Sequence, residues 1–137
     1  MKLIYTLILL VAIPLLALSQ QTKICWDDYS GREFCLTNVT ASFSYSMISG
    51  DRLEYEPSYS DNSGKLRKIG NVRLEYEPSY SDNSGKLRKI GNVRIEYEPS
   101  YSDNPGKIRK IGGMRIEYEP SYSSAAGQIR RTSGNVN

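Results

Sequence analysis

Residues 52–72 read Arg-Leu-Glu-Tyr-Glu-Pro-Ser-Tyr-Ser-Asp-Asn-Ser-Gly-Lys-Leu-Arg-Lys-Ile-Gly-Asn-Val, and residues 73–93 repeat the stretch without change. A third copy, 94–114, differs at five positions, and a fourth, 115–135, keeps the first nine residues of the third before it diverges. Self-similarity at a fixed period indicates a tandem array of one structural unit. The diverged last copy is typical of a capping repeat, although drift at the end of an array would leave the same pattern.

Each copy contains one clear strand pattern. Residues 72–77 alternate apolar and charged side chains, so Val72, Leu74 and Tyr76 fall on one face. Pro78 ends this segment, because proline cannot donate to a sheet ladder. The pattern therefore predicts a half-buried β-strand in every copy.

A turn and a second strand follow in each copy. Residues 81–85 supply turn chemistry, and residues 86–90 predict the second strand. Gly91-Asn92 then predicts a two-residue hairpin turn into the next copy. Leu87 and Ile90 lie three positions apart and cannot share a face of a regular strand. A bulge or wide turn is therefore expected between the paired strands.

The copies together predict an all-β protein of antiparallel hairpin repeats. The hairpins would form either a meander sheet, curved or partly rolled, or a stack in which equivalent residues make ladders. The first strand carries carboxylates (Glu75, Glu77) and the second carries cations (Lys86, Arg88, Lys89). Adjacent strands can therefore pair opposite charges on a solvated face.

The N-terminus has the pattern of an export signal. Lys2 precedes an apolar run over residues 3–18, and the small residues Ala17 and Ser19 stand at cleavage spacing. The run is shorter than the roughly 20 apolar residues that a membrane-spanning helix needs. We expect a helical signal peptide over residues 1–19 and a secreted protein, either extracellular or, in a bacterium, periplasmic or at the cell surface. No stable membrane span is expected after cleavage.

The segment after the signal carries both cysteines of the chain. Export places Cys25 and Cys35 in an oxidising compartment, where a disulfide is expected. A turn over residues 28–31 would set the two sulfurs opposite each other across a β-hairpin. Without a CxxC spacing or any histidine, a redox or metal-binding thiol pair is disfavoured. The predicted organisation is a disulfide-stapled β module at 20–51, four repeats over 52–135, and a tail at 136–137.

Composition argues against several classes of function. Beyond the signal, 118 residues (137 minus 19) carry 17 basic side chains (18 minus Lys2) and 15 acidic ones, which predicts no strong attraction to nucleic acid. Histidine, a nucleophile elbow and a phosphate-binding glycine loop are all missing, so we expect no enzyme and no cofactor. Glu75 and Glu77 recur in each copy, which argues against a glycosidase pair. Asp82 and Asn83 lack the full pattern of a calcium loop, so no metal is expected.

The string from Tyr80 to Ile90 resembles the YD repeat of Rhs and teneurin-type surface proteins, whose core is Tyr-Asp, two residues, Gly, Arg, Leu. The period is similar as well. Here Ser81 separates the tyrosine from the aspartate, Lys86 replaces the arginine, and four copies are too few for the large β-shell of that family. The resemblance implies an extracellular repeat architecture without encapsulation. Residues 25–36 are also reminiscent of the start of a βγ-crystallin-like Greek key.

Two sets of tyrosines recur through the array. The inner set alternates with charge along the first strand and is expected in the core: Tyr55, Tyr76, Tyr97 and Tyr118. The outer set follows Pro-Ser in the turn region and is the candidate binding surface: Tyr59, Tyr80, Tyr101 and Tyr122.

We expect a non-enzymatic structural or interaction role, with a protein partner or further copies of the chain. The alternative is a carbohydrate-binding or adhesive module, in which the outer tyrosines stack on sugar rings. Sugar binding predicts that these tyrosines are exposed in a row, whereas the structural hypothesis predicts that they are packed. A third class is an inhibitor or toxin acting through residues 20–51 alone. Asn38 begins an Asn-x-Thr glycosylation sequon whose use depends on the host.

Overall fold

The structure is a computed structural model that describes residues 21–137. These residues form antiparallel sheets of three and eight strands, which confirms the predicted all-β fold. The predicted signal helix and its cleavage site lie outside the described residues. The strands are β1 Lys23–Asp27, β2 Glu33–Thr37, β3 Phe43–Tyr45, β4 Leu53–Tyr55, β5 Leu66–Ile69, β6 Val72–Tyr76, β7 Leu87–Ile90, β8 Val93–Tyr97, β9 Ile108–Ile111, β10 Met114–Tyr118 and β11 Ile129–Ser133.

The three-stranded sheet is the N-terminal module, in the order β1-β2-β3. Cys25 pairs directly with Cys35 across the β1–β2 hairpin. Their sulfurs are bonded at 2.10 Å, so the predicted disulfide is confirmed. The turn between the strands is closed by the amide of Gly31, which donates to the carbonyl of Asp28 at 3.1 Å.

The eight-stranded sheet is a meander in which β4 to β11 lie side by side in chain order. Two kinds of connection alternate along it. Long loops (56–65, 77–86, 98–107 and 119–128) lie at one end of the strands, and two-residue turns lie at the other. In the turn at Gly91-Asn92, Ile90 pairs with Val93 and Gly91 has φ of 58°. A positive φ at the first central residue is what a type II′ hairpin turn requires.

A β-bulge explains how both apolar residues of the second strand reach the core. Glu75 pairs with Lys89 and Tyr76 pairs with Leu87, so Arg88 is the extra residue. The bulge shifts the side-chain alternation by one position. Leu87 and Ile90 are consequently both buried, as the spacing predicted.

The two sheets share one hydrophobic core. The module contributes Trp26, Phe34 and Leu36, and the repeats contribute an isoleucine or leucine from nearly every strand. The buried aliphatic residues of the repeats are Ile69, Leu74, Leu87, Ile90, Ile95, Ile108, Ile111 and Ile116. The backbone also crosses between the sheets, since the amide of Ile108 donates to the carbonyl of Asn38 at 2.9 Å. The module therefore covers the apolar face that the hairpins cannot bury alone.

Arg32 fixes the module at the entrance to the array. Its guanidinium donates to both carboxylate oxygens of Asp51 and, at 3.1 Å, to Asp28. These contacts lower the pKa of Asp51 to about 2, chiefly through the hydrogen bond from Arg32. The same guanidinium lies against the turn at Gly70, where a methyl group would collide with it. The ion pair thus joins the β1–β2 turn to Asp51, at the end of the module, and lies against the first turn of the array.

Candidate binding surface

The outer tyrosines are the most regular exposed feature of the array. Each lies in a long loop, and their exposed fractions are 89%, 90%, 91% and 89% along the chain. We call this set the tyrosine row: Tyr59, Tyr80, Tyr101 and Tyr122. Full exposure in each copy is what the sugar-binding alternative predicts, and it differs from the packing that the structural hypothesis predicts.

The loops that carry the row are held by their own backbone. In the second copy, the Glu77 amide donates to the Lys86 carbonyl at 2.8 Å, and the Gly85 amide donates back to Glu77 at 3.1 Å. Inside this frame the Ser81 amide donates to the Pro78 carbonyl at 3.0 Å. Gly85 closes the loop with φ of 79°, a conformation that other residues rarely adopt. Because the other copies repeat these bonds, each tyrosine stands on a defined platform.

Sheet geometry sets the spacing of the row. Equivalent residues of consecutive copies are two strands apart, and neighbouring strands lie about 4.8 Å apart, which places equivalent positions about 10 Å from each other. Four large, mostly apolar side chains therefore project at regular intervals from one end of the sheet. Aromatic rings presented in this way can pack against a partner's side chains or stack on flat ligand faces.

The inner tyrosines follow the core prediction only in part. Tyr97 is buried with 7% of its surface exposed, whereas Tyr76 and Tyr118 are half-buried. The prediction is wrong for Tyr55, which is 55% exposed. The difference has a simple cause: Tyr55 lies on the edge strand β4 and has no preceding repeat to cover it.

Each covered inner tyrosine contacts a lysine of the repeat before it. Lys86 illustrates the contact: its ammonium lies 5.0 Å from the centre of the Tyr97 ring and donates to the Gly106 carbonyl at 2.9 Å. In return, the Tyr97 hydroxyl donates to the Leu87 carbonyl at 2.5 Å. Asn83 holds the ammonium from within its own repeat, at 3.1 Å. Sequence analysis missed this constellation, because it depends on which strands become neighbours.

The same contact recurs at the other two junctions between repeats. Lys65 lies over Tyr76 at 5.1 Å and donates to the Gly85 carbonyl at 2.7 Å. Lys107 lies over Tyr118 at 5.1 Å and donates to the Gly127 carbonyl at 2.7 Å. Burial raises the pKa of Tyr76 and of Tyr118 from the ordinary 10 to about 12.

The charged ladder predicted within each hairpin is present. Arg88 donates to Glu75 at 3.1 Å, and the first and third copies pair the equivalent residues at 3.0 and 3.2 Å. In the fourth copy the donor to Glu117, at 2.9 Å, is Arg131, which stands at the position of Lys89. These side chains keep about a third or more of their exposure. Exposed pairs of this kind contribute little to stability, on the order of 0–1 kcal/mol each. The ladder thus forms a solvated, regularly charged face of the sheet.

Two candidate sites of the module, the thiol pair and the glycosylation sequon, are blocked in the folded protein. Cys25 and Cys35 lie close to Glu33, but their thiols are consumed by the disulfide. Asn38 is 1% exposed, and its side-chain oxygen accepts from the amide of Thr22 at 2.7 Å. The side-chain nitrogen of Asn38, to which a glycan would be attached, is enclosed. The sequon is therefore inaccessible in the folded protein.

A shallow cavity lies between the module and the two-residue turns of the array. It encloses about 380 Å³ beside Trp26, Tyr29 and Arg32 on one side and Gly91 and Val93 on the other. Its wall is mainly apolar, and Arg32 is already occupied by its two carboxylates. The cavity is a second concave surface, at the opposite end of the strands from the long loops.

Comparison with protein-family models, curated proteins and solved structures finds no match for this chain. The resemblances to YD repeats and to βγ-crystallin remain predictions. Over residues 21–137 there is no helix of the length and apolar character needed to cross a membrane.

Proposed function

We propose that the protein is a secreted, non-enzymatic repeat protein that binds a protein partner through the tyrosine row. The observation that carries the proposal is the near-complete exposure of one tyrosine per repeat, each on an internally hydrogen-bonded loop. Leaving four large aromatic residues in water gains nothing for the fold, and aromatic residues are enriched at the centre of protein interfaces.

The rigidity of the platform supports binding. A tyrosine has few rotatable bonds, so it loses little conformational entropy when it is buried by a partner. The loop backbones are already ordered, which lowers the entropic cost of association further. Repetition adds a second advantage, because contacts made by neighbouring copies reinforce one another within one complex.

Carbohydrate binding is the second candidate, and the same exposure favours it. Tyrosine rings stack on the apolar faces of sugars, and regularly spaced rings suit a polymer of repeating units. Self-association through the row is the third outcome to be tested. The three candidates share one surface and differ in the ligand.

The test combines three measurements on protein recovered from the medium or periplasm of an exporting host. Cross-linking in its native setting would identify a protein partner, a glycan array would detect sugars, and sedimentation velocity would detect self-association. In the variant Tyr80→Ala/Tyr101→Ala, we expect binding of the partner to fall at least tenfold, because interface tyrosines often contribute 1–2 kcal/mol or more each.

A matched control is Arg88→Ala/Arg109→Ala, which removes two exposed side chains of the same repeats and leaves the row intact. Partner binding unchanged in the tyrosine variant would overturn the proposal. A stable monomer whose glycan signal is lost in that variant would replace the protein partner with a carbohydrate.

A further inference from the structure

Three of the four repeats hold a lysine from the repeat before them, at a site that we call the lysine socket. A socket consists of an inner tyrosine and the carbonyl of the loop glycine that follows it. The filled sockets are Tyr76 with Gly85, Tyr97 with Gly106, and Tyr118 with Gly127. The carbonyl accepts the ammonium at 2.7–2.9 Å, the ring lies beneath it, and the tyrosine hydroxyl donates to the carbonyl of the residue after the lysine.

The first repeat has the same socket with nothing in it. Tyr55 pairs with Leu66 across the same bulge that the other hairpins contain, so the first hairpin is built alike. Yet Tyr55 is 55% exposed, and Gly64 is exposed where its counterpart Gly85 is partly covered. Among residues 21–137, no side chain donates to the Gly64 carbonyl and no acceptor meets the Tyr55 hydroxyl. The edge of β4 beside this socket also has no neighbouring strand in the described part of the chain.

The last repeat, in contrast, has lost the residues that would fill a following socket. Gln128 stands where the other copies have lysine, and Ala125 stands where Asn83 and its counterparts hold the ammonium. The residues of this copy that face the preceding repeat are kept, including Tyr118. The divergence noted in the sequence therefore falls on the positions that fill the next socket in the other copies, and a second copy of the chain offers no lysine at its matching end.

We propose that the open edge of the first repeat is a docking site for an extended segment of a partner protein, with a lysine followed by an apolar residue. Its ammonium would lie over Tyr55 and against the Gly64 carbonyl, and the next carbonyl would accept the Tyr55 hydroxyl. Addition of a strand to an exposed sheet edge is an established mode of peptide recognition. The ligand chemistry is read from the three filled sites, so the inference is independent of the tyrosine row.

A fluorescent peptide with the sequence of residues 62–69, Asn-Ser-Gly-Lys-Leu-Arg-Lys-Ile, is the probe, and anisotropy reports its binding to the protein. Replacing its first lysine by glutamine should weaken binding about tenfold or more, because a cation–π contact and a charged hydrogen bond are lost together. Replacing its second lysine by glutamine gives the same net charge and should leave binding within about threefold, as expected for a group outside the socket.

On the protein, Tyr55→Ala should abolish peptide binding, and Tyr59→Ala should preserve it, with circular dichroism confirming that both variants are folded. Equal binding of the two glutamine peptides, or equal binding to wild type and Tyr55→Ala, would overturn the proposal, as would no binding at all. Self-association of the wild-type chain that Tyr55→Ala removes would also overturn it, because the occupant would then be a second copy.

Discussion

The N-terminal module and the repeat array reach stability by opposite routes. The module is stabilised by contacts that each occur once: one disulfide, one arginine between two aspartates, and one aromatic cluster around Phe34. The array uses a few contacts many times, so each repeat junction has the same lysine, tyrosine and glycine contacts. Single changes in the module should therefore have unique effects. Changes in the array can be compared with identical positions that differ only in their neighbours.

The largest expected effect on the free energy of unfolding comes from removing the disulfide. We expect Cys25→Ala/Cys35→Ala to lower the free energy of unfolding by about 3 kcal/mol, because a short cross-linked loop no longer restricts the unfolded chain. Urea titration followed by Trp26 fluorescence reports the module, since it is the only tryptophan. Circular dichroism of the same samples reports the array. If the array lost its structure at the same denaturant concentration as the module, the two regions would be one cooperative unit.

A matched pair of glycines measures how the module is held on the array. Gly70 and Gly91 occupy equivalent turns with φ of 55° and 58°, so an alanine at either position costs about 1–2 kcal/mol of backbone strain. At Gly70 the added methyl also collides with Arg32, whereas at Gly91 its nearest contact is Val72 at an ordinary 3.4 Å. Gly70→Ala should destabilise the protein by at least about 1 kcal/mol more than Gly91→Ala, from the disturbed ion pair. Equal effects would show that Arg32 does not anchor the module there.

Within the array, the hydroxyl of an inner tyrosine can be removed where a preceding repeat covers it, at Tyr97, and where none does, at Tyr55. Tyr97→Phe leaves the Leu87 carbonyl without its donor in a buried setting, which should cost about 1–2 kcal/mol. Tyr55→Phe removes an exposed hydroxyl and should change stability by less than about 0.5 kcal/mol. Thermal or urea unfolding measures both. An equal loss in the two variants would contradict the inter-repeat role of the hydroxyl.

The smallest expected effect is a loss of stability in acid at the contact between the module and the array. The pKa of Asp51 is lowered to about 2 by its hydrogen bond with Arg32, below the ordinary 3.8. A depressed folded-state pKa gives stability that is present above the unfolded value and is lost as the pH falls through the folded one. The Trp26 signal should therefore begin to change between about pH 4 and pH 2, and the circular dichroism should change over the same range because the two sheets share one core. Asp51→Asn should remove this step in the titration.

The hairpins could be predicted from the pattern of residues within a single copy. Alternation over residues 72–77, the glycine turns and the Leu87–Ile90 spacing predict the strands and the bulge, because they depend on contacts within one copy. The disulfide follows equally from the predicted export and from the spacing. These features need no knowledge of which elements become neighbours.

The environment of Tyr55 could not be predicted in the same way. Residues 52–72 and 73–93 are identical, yet Tyr55 is exposed while Tyr76 is covered by Lys65. The two copies differ only in their position within the array, and the sequence of a copy does not indicate that position. The docking of the module through Arg32 and Asn38 is hidden for the same reason, since both contacts join residues far apart in sequence.

Limited iodination tests the central claim most directly, because one tryptic peptide, residues 95–107, contains both kinds of tyrosine. Tyr101 belongs to the exposed row, and Tyr97 is the buried ring of a socket that Lys86 fills. Mass spectrometry of the peptide from folded protein should find iodine on Tyr101 and none on Tyr97, with both labelled after unfolding in urea. Labelling of Tyr97 as readily as Tyr101, or protection of Tyr101 in the monomer, would contradict the account.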